Sequence, residues 1–78
     1  MVTAADIKQW IEQNLSESEV MAEGDGQHFS ATVICAQFAG QSRMQRHRMV
    51  YAALGKRMDS EIHALSLKTC TPTEYQGI

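Results

Sequence analysis

A helix-forming segment placed between two strand-like runs constrains the fold of this chain more than any other feature. Side chains alternate in polarity between positions 27 and 36, as they do in a strand, and a second strand-like run extends over Ile62–Cys70. Between these runs Gly40 ends the first strand region, and Ser42 opens a capped helix that is predicted to reach Met58. A strand, a helix and a strand in this order form a βαβ unit, so the two strands, if they are neighbours, are parallel.

The remaining segments extend this unit to an α+β domain. Thr3, with Asp6 three residues later, resembles a capping arrangement and predicts a first helix at Ala4–Asn14. A half-exposed strand is predicted over Glu19–Glu23. The glycines of Gly24-Asp25-Gly26 suit a tight hairpin, so this strand is expected to pair antiparallel with the next one. Thr71 as a cap, the proline after it and Glu74, which can return a hydrogen bond, predict a short final helix. The predicted fold is a single domain over residues 1–78, in the order α-β-β-α-β-α, with a three-stranded mixed sheet and the helices packed on one face.

Composition limits the location and the partners of such a domain. The chain has 78 residues, a hydrophobic share of 44% and a formal charge of -2, which are ordinary values for a soluble globular protein. It has no signal-peptide pattern and no run near the roughly 20 apolar residues of a membrane helix, so the cytoplasm is the expected location. Cys35 and Cys70 lack the spacing of a metal or redox motif, and we expect both to be reduced and at least half-buried.

The basic residues are concentrated on and just after the predicted central helix. Such a group can dock a nucleic acid or another partner, or it can be the solvated face of a scaffold helix. On the same helix His47 and Tyr51 share a predicted apolar stripe with Met44, Leu54 and Met58. We therefore assign structural roles to His47, Tyr51 and the preceding Gly40. The candidate docking residues are Arg43, Arg46, Arg48, Lys56 and Arg57.

Two histidines stand at the starts of the strands that the βαβ unit makes parallel. His28 begins the second strand beside the hairpin turn, and His63 stands at the beginning of the third. If these strands are neighbours about 4.8 Å apart, the two imidazoles converge on one edge of the sheet. His47 is predicted far from this edge, because its helix starts at the opposite end of the sheet. The alternatives are an exposed His28 without function and a partly buried, structural His63.

Two imidazoles do not complete a metal site, because zinc generally takes at least three protein ligands. A metal at this edge would therefore be shared with another molecule. Neutral imidazole suits iron, copper or zinc, and histidine ligation of a [2Fe-2S] centre occurs in Rieske-type clusters. The sequence has no recognisable nucleophile beside a base and no glycine-rich phosphate loop after a strand, so we do not expect an enzyme.

Several segments, taken in this order and at these separations, resemble the BolA family. They are Phe38-Ala-Gly, Arg46-His-Arg-Met-Val, His63-Ala-Leu and Thr71-Pro-Thr-Glu-Tyr. The resemblance covers nearly the whole chain, and the loop from Gly24 to Phe29 is similar to the bacterial BolA-like subgroup of the IbaG or YrbA type. It implies a fold similar to class II KH domains.

The resemblance also implies a partner and a cofactor. BolA proteins pair with monothiol glutaredoxins, and the heterodimer holds a [2Fe-2S] cluster between its two proteins. The glutaredoxin contributes its active-site cysteine, and bound glutathione supplies another thiolate. The BolA protein supplies the histidine of the His-Ala-Leu motif and a His or Cys from the first hairpin loop, which by residue match are His63 and His28. The isolated protein is then expected to hold no cofactor and to be a monomer or a weak dimer.

A DNA-binding transcriptional regulator is the alternative function that the resemblance implies. Members of the family have been described in this role, and the basic residues of the central helix would contact phosphates. However, KH domains clamp the nucleic-acid backbone with a Gly-x-x-Gly loop. The corresponding segment from Gly40 to Arg43 has only its first glycine.

Overall fold

The computed structural model describes residues 2–60, 62 and 64–77, and the prediction for His63 lies outside them. It has the α+β architecture that the sequence predicts. The helices are α1 (Ala4–Asn14), α2 (Arg43–Leu54), α3 (Arg57–Ser60) and α4 (Pro72–Gln76), and the strands are β1 (Ser18–Gly24), β2 (His28–Cys35) and β3 (Ala64–Cys70). One turn of 3-10 helix, Ala36–Phe38, leads from β2 toward α2. No helix of the described residues is long and apolar enough to cross a membrane.

The sheet is mixed, with β2 in the centre of the order β1-β2-β3. The hairpin pairs β1 with β2 antiparallel, and the crossover through α2 makes β3 parallel to β2. His28 is the register partner of Ala64, so the two parallel strands start at the same edge of the sheet. The predicted parallel pairing of β2 and β3 is therefore confirmed.

Alternation along β2 separates a core face from an open face. Phe29, Ala31, Val33 and Cys35 are buried and pack into the core against α1 and α2. α1 contributes the fully buried Ile7 and Ile11 and is held at its start by the predicted capping box between Thr3 and Asp6. The other face carries polar side chains such as Ser30, and most of it is solvent-exposed.

The central helix is shorter than predicted, and its buried stripe is different. α2 ends at Leu54 because Gly55 adopts a φ of +60°, a conformation that L residues rarely adopt, and the chain re-enters a helix only at Arg57. The side chains that reach the core are Val50, Ala53 and Leu54. Met44, which was placed on the apolar stripe, is 65% exposed.

The short helix α4 lies apart from the two longer helices, against the open face of the sheet. Its Tyr75 hydroxyl donates a hydrogen bond to the sulfur of Met21, a residue on that face of β1. Ile34, which also points to the open face, is nevertheless 6% exposed, and it lines the same surface recess as Pro72 and Tyr75. α4 therefore covers the end of the open face where β2 and β3 finish. The prediction that the helices pack on one face holds for α1 and α2 but not for α4.

Candidate functional site

The edge at which β2 and β3 begin carries the first candidate residue, His28. Its side chain is exposed and, by strand parity, belongs to the open face together with Ser30. Its partner in register, Ala64, is the residue that follows His63 in the sequence, and the Ala64 amide donates to the Gln27 carbonyl at 3.1 Å. The fold thus brings the loop histidine beside the start of the strand that the His-Ala-Leu motif opens.

The hairpin turn in front of His28 is fixed by its own polar groups. One carboxylate oxygen of Asp25 accepts hydrogen bonds from the backbone amides of His28, at 2.9 Å, and Gln27, at 3.0 Å. These two bonds hold the pKa of the Asp25 carboxyl below its usual value, and the neighbouring His28 side chain lowers it further. Gly26 supplies the positive φ of 100° that the turn needs. These contacts fix the position of the His28 backbone.

The donors available at this edge are few. Within residues 2–60, 62 and 64–77 no group of three His, Cys, Asp or Glu side chains is placed to hold a metal ion. Cys35 is buried in the core and Cys70 is half-buried, and both are free thiols, as predicted. Any metal group bound at His28 would thus need donors from outside the described residues.

His47 lies at the other end of the molecule, near the start of α2. Its ring makes an edge-to-face contact with Tyr51, with 6.4 Å between the ring centroids. Both side chains are more exposed than core residues are, and Tyr51 retains 39% of its accessible surface. This pair belongs to the surface of α2, while Gly40 adopts a φ of +77° in the turn that leads into the helix.

Arg46 forms an ion pair with a carboxylate within the fold. Its guanidinium forms two hydrogen bonds with the Glu74 carboxylate, at 2.7 and 3.1 Å, and a third with the Gln41 carbonyl at 3.0 Å. It also lies over the ring of the buried Phe38, 5.8 Å from its centroid. Arg46 lowers the pKa of Glu74 to about 2, with help from the Thr71 amide. Arg46 thus ties α2 to α4.

The remaining basic residues have separate positions. Arg43, Arg48 and Lys56 are exposed, whereas the Arg57 guanidinium lies over the Trp10 ring at 4.6 Å, where it joins the end of the crossover to α1. Two of the five predicted docking residues, Arg46 and Arg57, are therefore engaged in contacts within the fold.

The structure adds two residues to this region that the sequence analysis missed. Lys68 of β3 and Tyr75 of α4 line one groove of about 650 Å³ with Arg43, His47 and Cys70. Burial raises the pKa of the Cys70 thiol, which keeps it protonated near neutral pH. Side chains alternate between the two faces along β3, so Lys68 lies on the open face and its neighbour Leu67 faces the core. This alternation in the sequence could have identified Lys68 as an exposed cation. Its proximity to Arg43 depends on the tertiary fold.

Comparison with known proteins agrees with this architecture. The family model for BolA-like protein matches residues 7–74. The acid stress protein IbaG of Escherichia coli is 40% identical over 62 residues, which cover 78% of this chain and 74% of IbaG. The DNA-binding transcriptional regulator BolA of the same organism is 34% identical over 55 residues, covering 70% of this chain and 52% of that protein. The chain spans about half the length of the first curated relatives it matches.

A solved structure shows the same fold throughout. The structure of a BolA protein homologue from Coxiella burnetii superimposes with a TM-score of 0.92 at 65% sequence identity. The match covers 97% of this chain and 99% of the Coxiella chain. The mixed three-stranded sheet and its helices are therefore shared over nearly the full length.

Proposed function

The chain belongs to the BolA-like protein family, and from that premise we propose that it is an iron-sulfur accessory protein. It binds a monothiol glutaredoxin and shares a [2Fe-2S] cluster with it, in cluster trafficking, storage or sensing rather than in catalysis. His63 and His28 are the ligands that this protein supplies, and glutaredoxin and glutathione supply the thiolates. The reducing cytoplasm suits both this chemistry and the two free cysteines.

One observation carries the proposal: the parallel register that sets His28 opposite Ala64. A shared cluster fits the described residues, because His28 is an exposed nitrogen donor beside the start of β3 and the described part of this edge offers too few donors for a closed metal site. A bound cluster supplies iron sites with one-electron chemistry. The role of this chain is to present imidazole nitrogens from a turn that Asp25 keeps in place.

The proposal is tested by mixing the protein with glutathione and a monothiol glutaredoxin that carries the cluster, and by following visible absorption and circular dichroism. We expect a mixed-complex spectrum that His63→Ala and His28→Ala each alter. His47→Ala is the matched control, because His47 is a half-exposed histidine on α2, and this variant should leave the spectrum unchanged. An unchanged spectrum in both ligand variants would reject the assignment.

Duplex DNA binding is the second candidate function. The E. coli relative named as a DNA-binding transcriptional regulator supports it, as does the exposed Arg43 beside Lys68. Binding should weaken steeply with salt, and Arg43→Ala should reduce it. Arg46→Ala should reduce it less, because Glu74 already pairs with that guanidinium. Indifference to Arg43→Ala would remove this candidate.

A further inference from the structure

The two edges of the sheet are finished differently. At the β1 edge, the outward amide of Val20 donates to Glu12 at 2.9 Å, and its carbonyl accepts from Lys8 at 3.0 Å. The ion pair of Lys8 and Glu12 on α1 therefore covers the middle of that edge. Side chains placed in this way prevent another strand from adding to the sheet.

At the β3 edge, no side chain of the described residues is hydrogen-bonded to the backbone in this way. The Ala64 amide points toward β2, and because backbone groups alternate along a parallel pair, the amides and carbonyls of Leu65, Leu67 and Thr69 point away from the sheet. No donor or acceptor within residues 2–60, 62 and 64–77 is hydrogen-bonded to these outward groups. Three residues of the β3 edge can therefore each offer a backbone N–H donor and a carbonyl acceptor to an extended segment of another chain.

The groove beside this part of the molecule has a positive charge. It is lined by Leu67–Cys70 of β3, by Arg43 and His47 of α2, and by Tyr75. Arg43 and Lys68 are exposed, and neither forms an ion pair with a carboxylate of the described residues. Two acidic residues belong to this region: Glu74 is bound to Arg46, and Glu23 lines a recess on the open face that Arg43 and Lys68 also line, without forming an ion pair with either. Two cations therefore remain available to a ligand.

We propose that an extended, acidic segment of a partner protein adds to β3 as a fourth strand. Its backbone pairs with Leu67 and Thr69, and an acidic side chain lies across from Lys68 on the open face, where opposite charges on neighbouring strands attract. The alternate residues of the added segment point to the core face of the sheet. Apolar side chains at these positions lie beside Leu65 and Leu67, which are partly buried against the core. The recognised pattern is an alternation of acidic and apolar residues.

Two other occupants match these groups less well. A second copy pairing antiparallel through β3 would bring further lysine and arginine to a surface that already carries Lys68 and Arg43. A nucleic acid could satisfy the cations, but its backbone lacks the alternating amides and carbonyls that the strand edge requires. Lys68 is four register positions from Ala64, or about 13 Å along the strand, so this site is separate from the histidine edge and independent of the cluster.

The test uses the ¹⁵N-labelled full chain and a twelve-residue peptide of alternating glutamate and valine with blocked ends. Saturating peptide should slow amide hydrogen exchange at Leu67 and Thr69 at least tenfold, and it should leave Ser66 and Lys68, which already bond to β2, little changed. Lys68→Glu should weaken peptide binding at least tenfold. Lys56→Glu, an exposed lysine that does not line the groove, is the matched control and should leave binding unaltered.

Four results would overturn the proposal. The first is an absence of protection at Leu67 and Thr69 at the highest peptide concentration. The second is equal protection by a peptide of alternating lysine and valine. The third is stronger protection by a single-stranded oligonucleotide than by the acidic peptide. The fourth is protection that rises with protein concentration alone, which would assign the edge to a second copy.

Discussion

The two ends of the parallel pair β2–β3 differ in the contacts that the structure describes. Where the strands begin, His28 is exposed and follows the short turn that Asp25 stabilises. Where they finish, the buried Phe38, the Arg46–Glu74 pair and the Thr71 cap join α2 and α4 to the sheet. From this difference we expect substitutions of the contact residues where the strands finish to cost more stability than substitution of His28 where they begin.

The largest expected effect on stability comes from the closed end. Phe38→Ala removes a fully buried aromatic side chain, and we expect the free energy of unfolding to fall by about 3–5 kcal/mol, as measured by urea denaturation. His28→Ala, at the open end, should change it by less than about 1 kcal/mol. Equal losses in the two variants would contradict the division between the ends.

A smaller effect is expected from the guanidinium that joins α2 to α4. Arg46→Ala removes the bonds to Glu74 and Gln41 and the contact with Phe38, and it should lower the free energy of unfolding by about 2 kcal/mol. Arg48→Ala, on the same helix but exposed, is the control and should stay within about 0.5 kcal/mol. A loss in Arg48→Ala as large as that in Arg46→Ala would mean that helix charge, not the clamp, is responsible.

The smallest expected effect is a dependence on pH. The folded protein holds the pKa of Glu74 at about 2, below its ordinary 4.5, so the unfolded chain takes up the proton first as the pH falls. The stabilisation is fully present above pH 4.5 and is lost as the pH falls toward 2. Melting temperatures of the wild type and Glu74→Gln should therefore converge over this range. Parallel pH profiles would contradict the role of the carboxylate.

Features that depend on neighbouring residues were predicted well from the sequence. The capping boxes that begin α1, α2 and α4 all form as predicted, because each needs only residues three positions apart. The parallel pairing of β2 and β3 also followed, because a crossover helix leaves little topological choice.

Features that depend on tertiary contacts were not predicted. The early end of α2 reflects the positive φ of Gly55 within an otherwise helical pattern. The ion pair of Arg46 and Glu74 joins residues 28 positions apart, and no pattern of neighbouring residues predicts it. For the same reason Lys68 was not connected with Arg43. Sequence reasoning placed His28 at the shared start of β2 and β3 through topology, whereas the contacts of Arg46 and Arg57 within the fold were not predicted.

The central claim is that histidine nitrogens of this protein bind the shared cluster, and pulsed electron paramagnetic resonance tests it most directly. The protein is labelled with ¹⁵N-histidine, combined with unlabelled glutaredoxin and glutathione, and the cluster is reduced. We predict nitrogen couplings from two directly bound histidines, one lost in His28→Ala and the other in His63→Ala, with His47→Ala unchanged. A reduced cluster without ¹⁵N coupling, in a complex that has formed, would contradict the account.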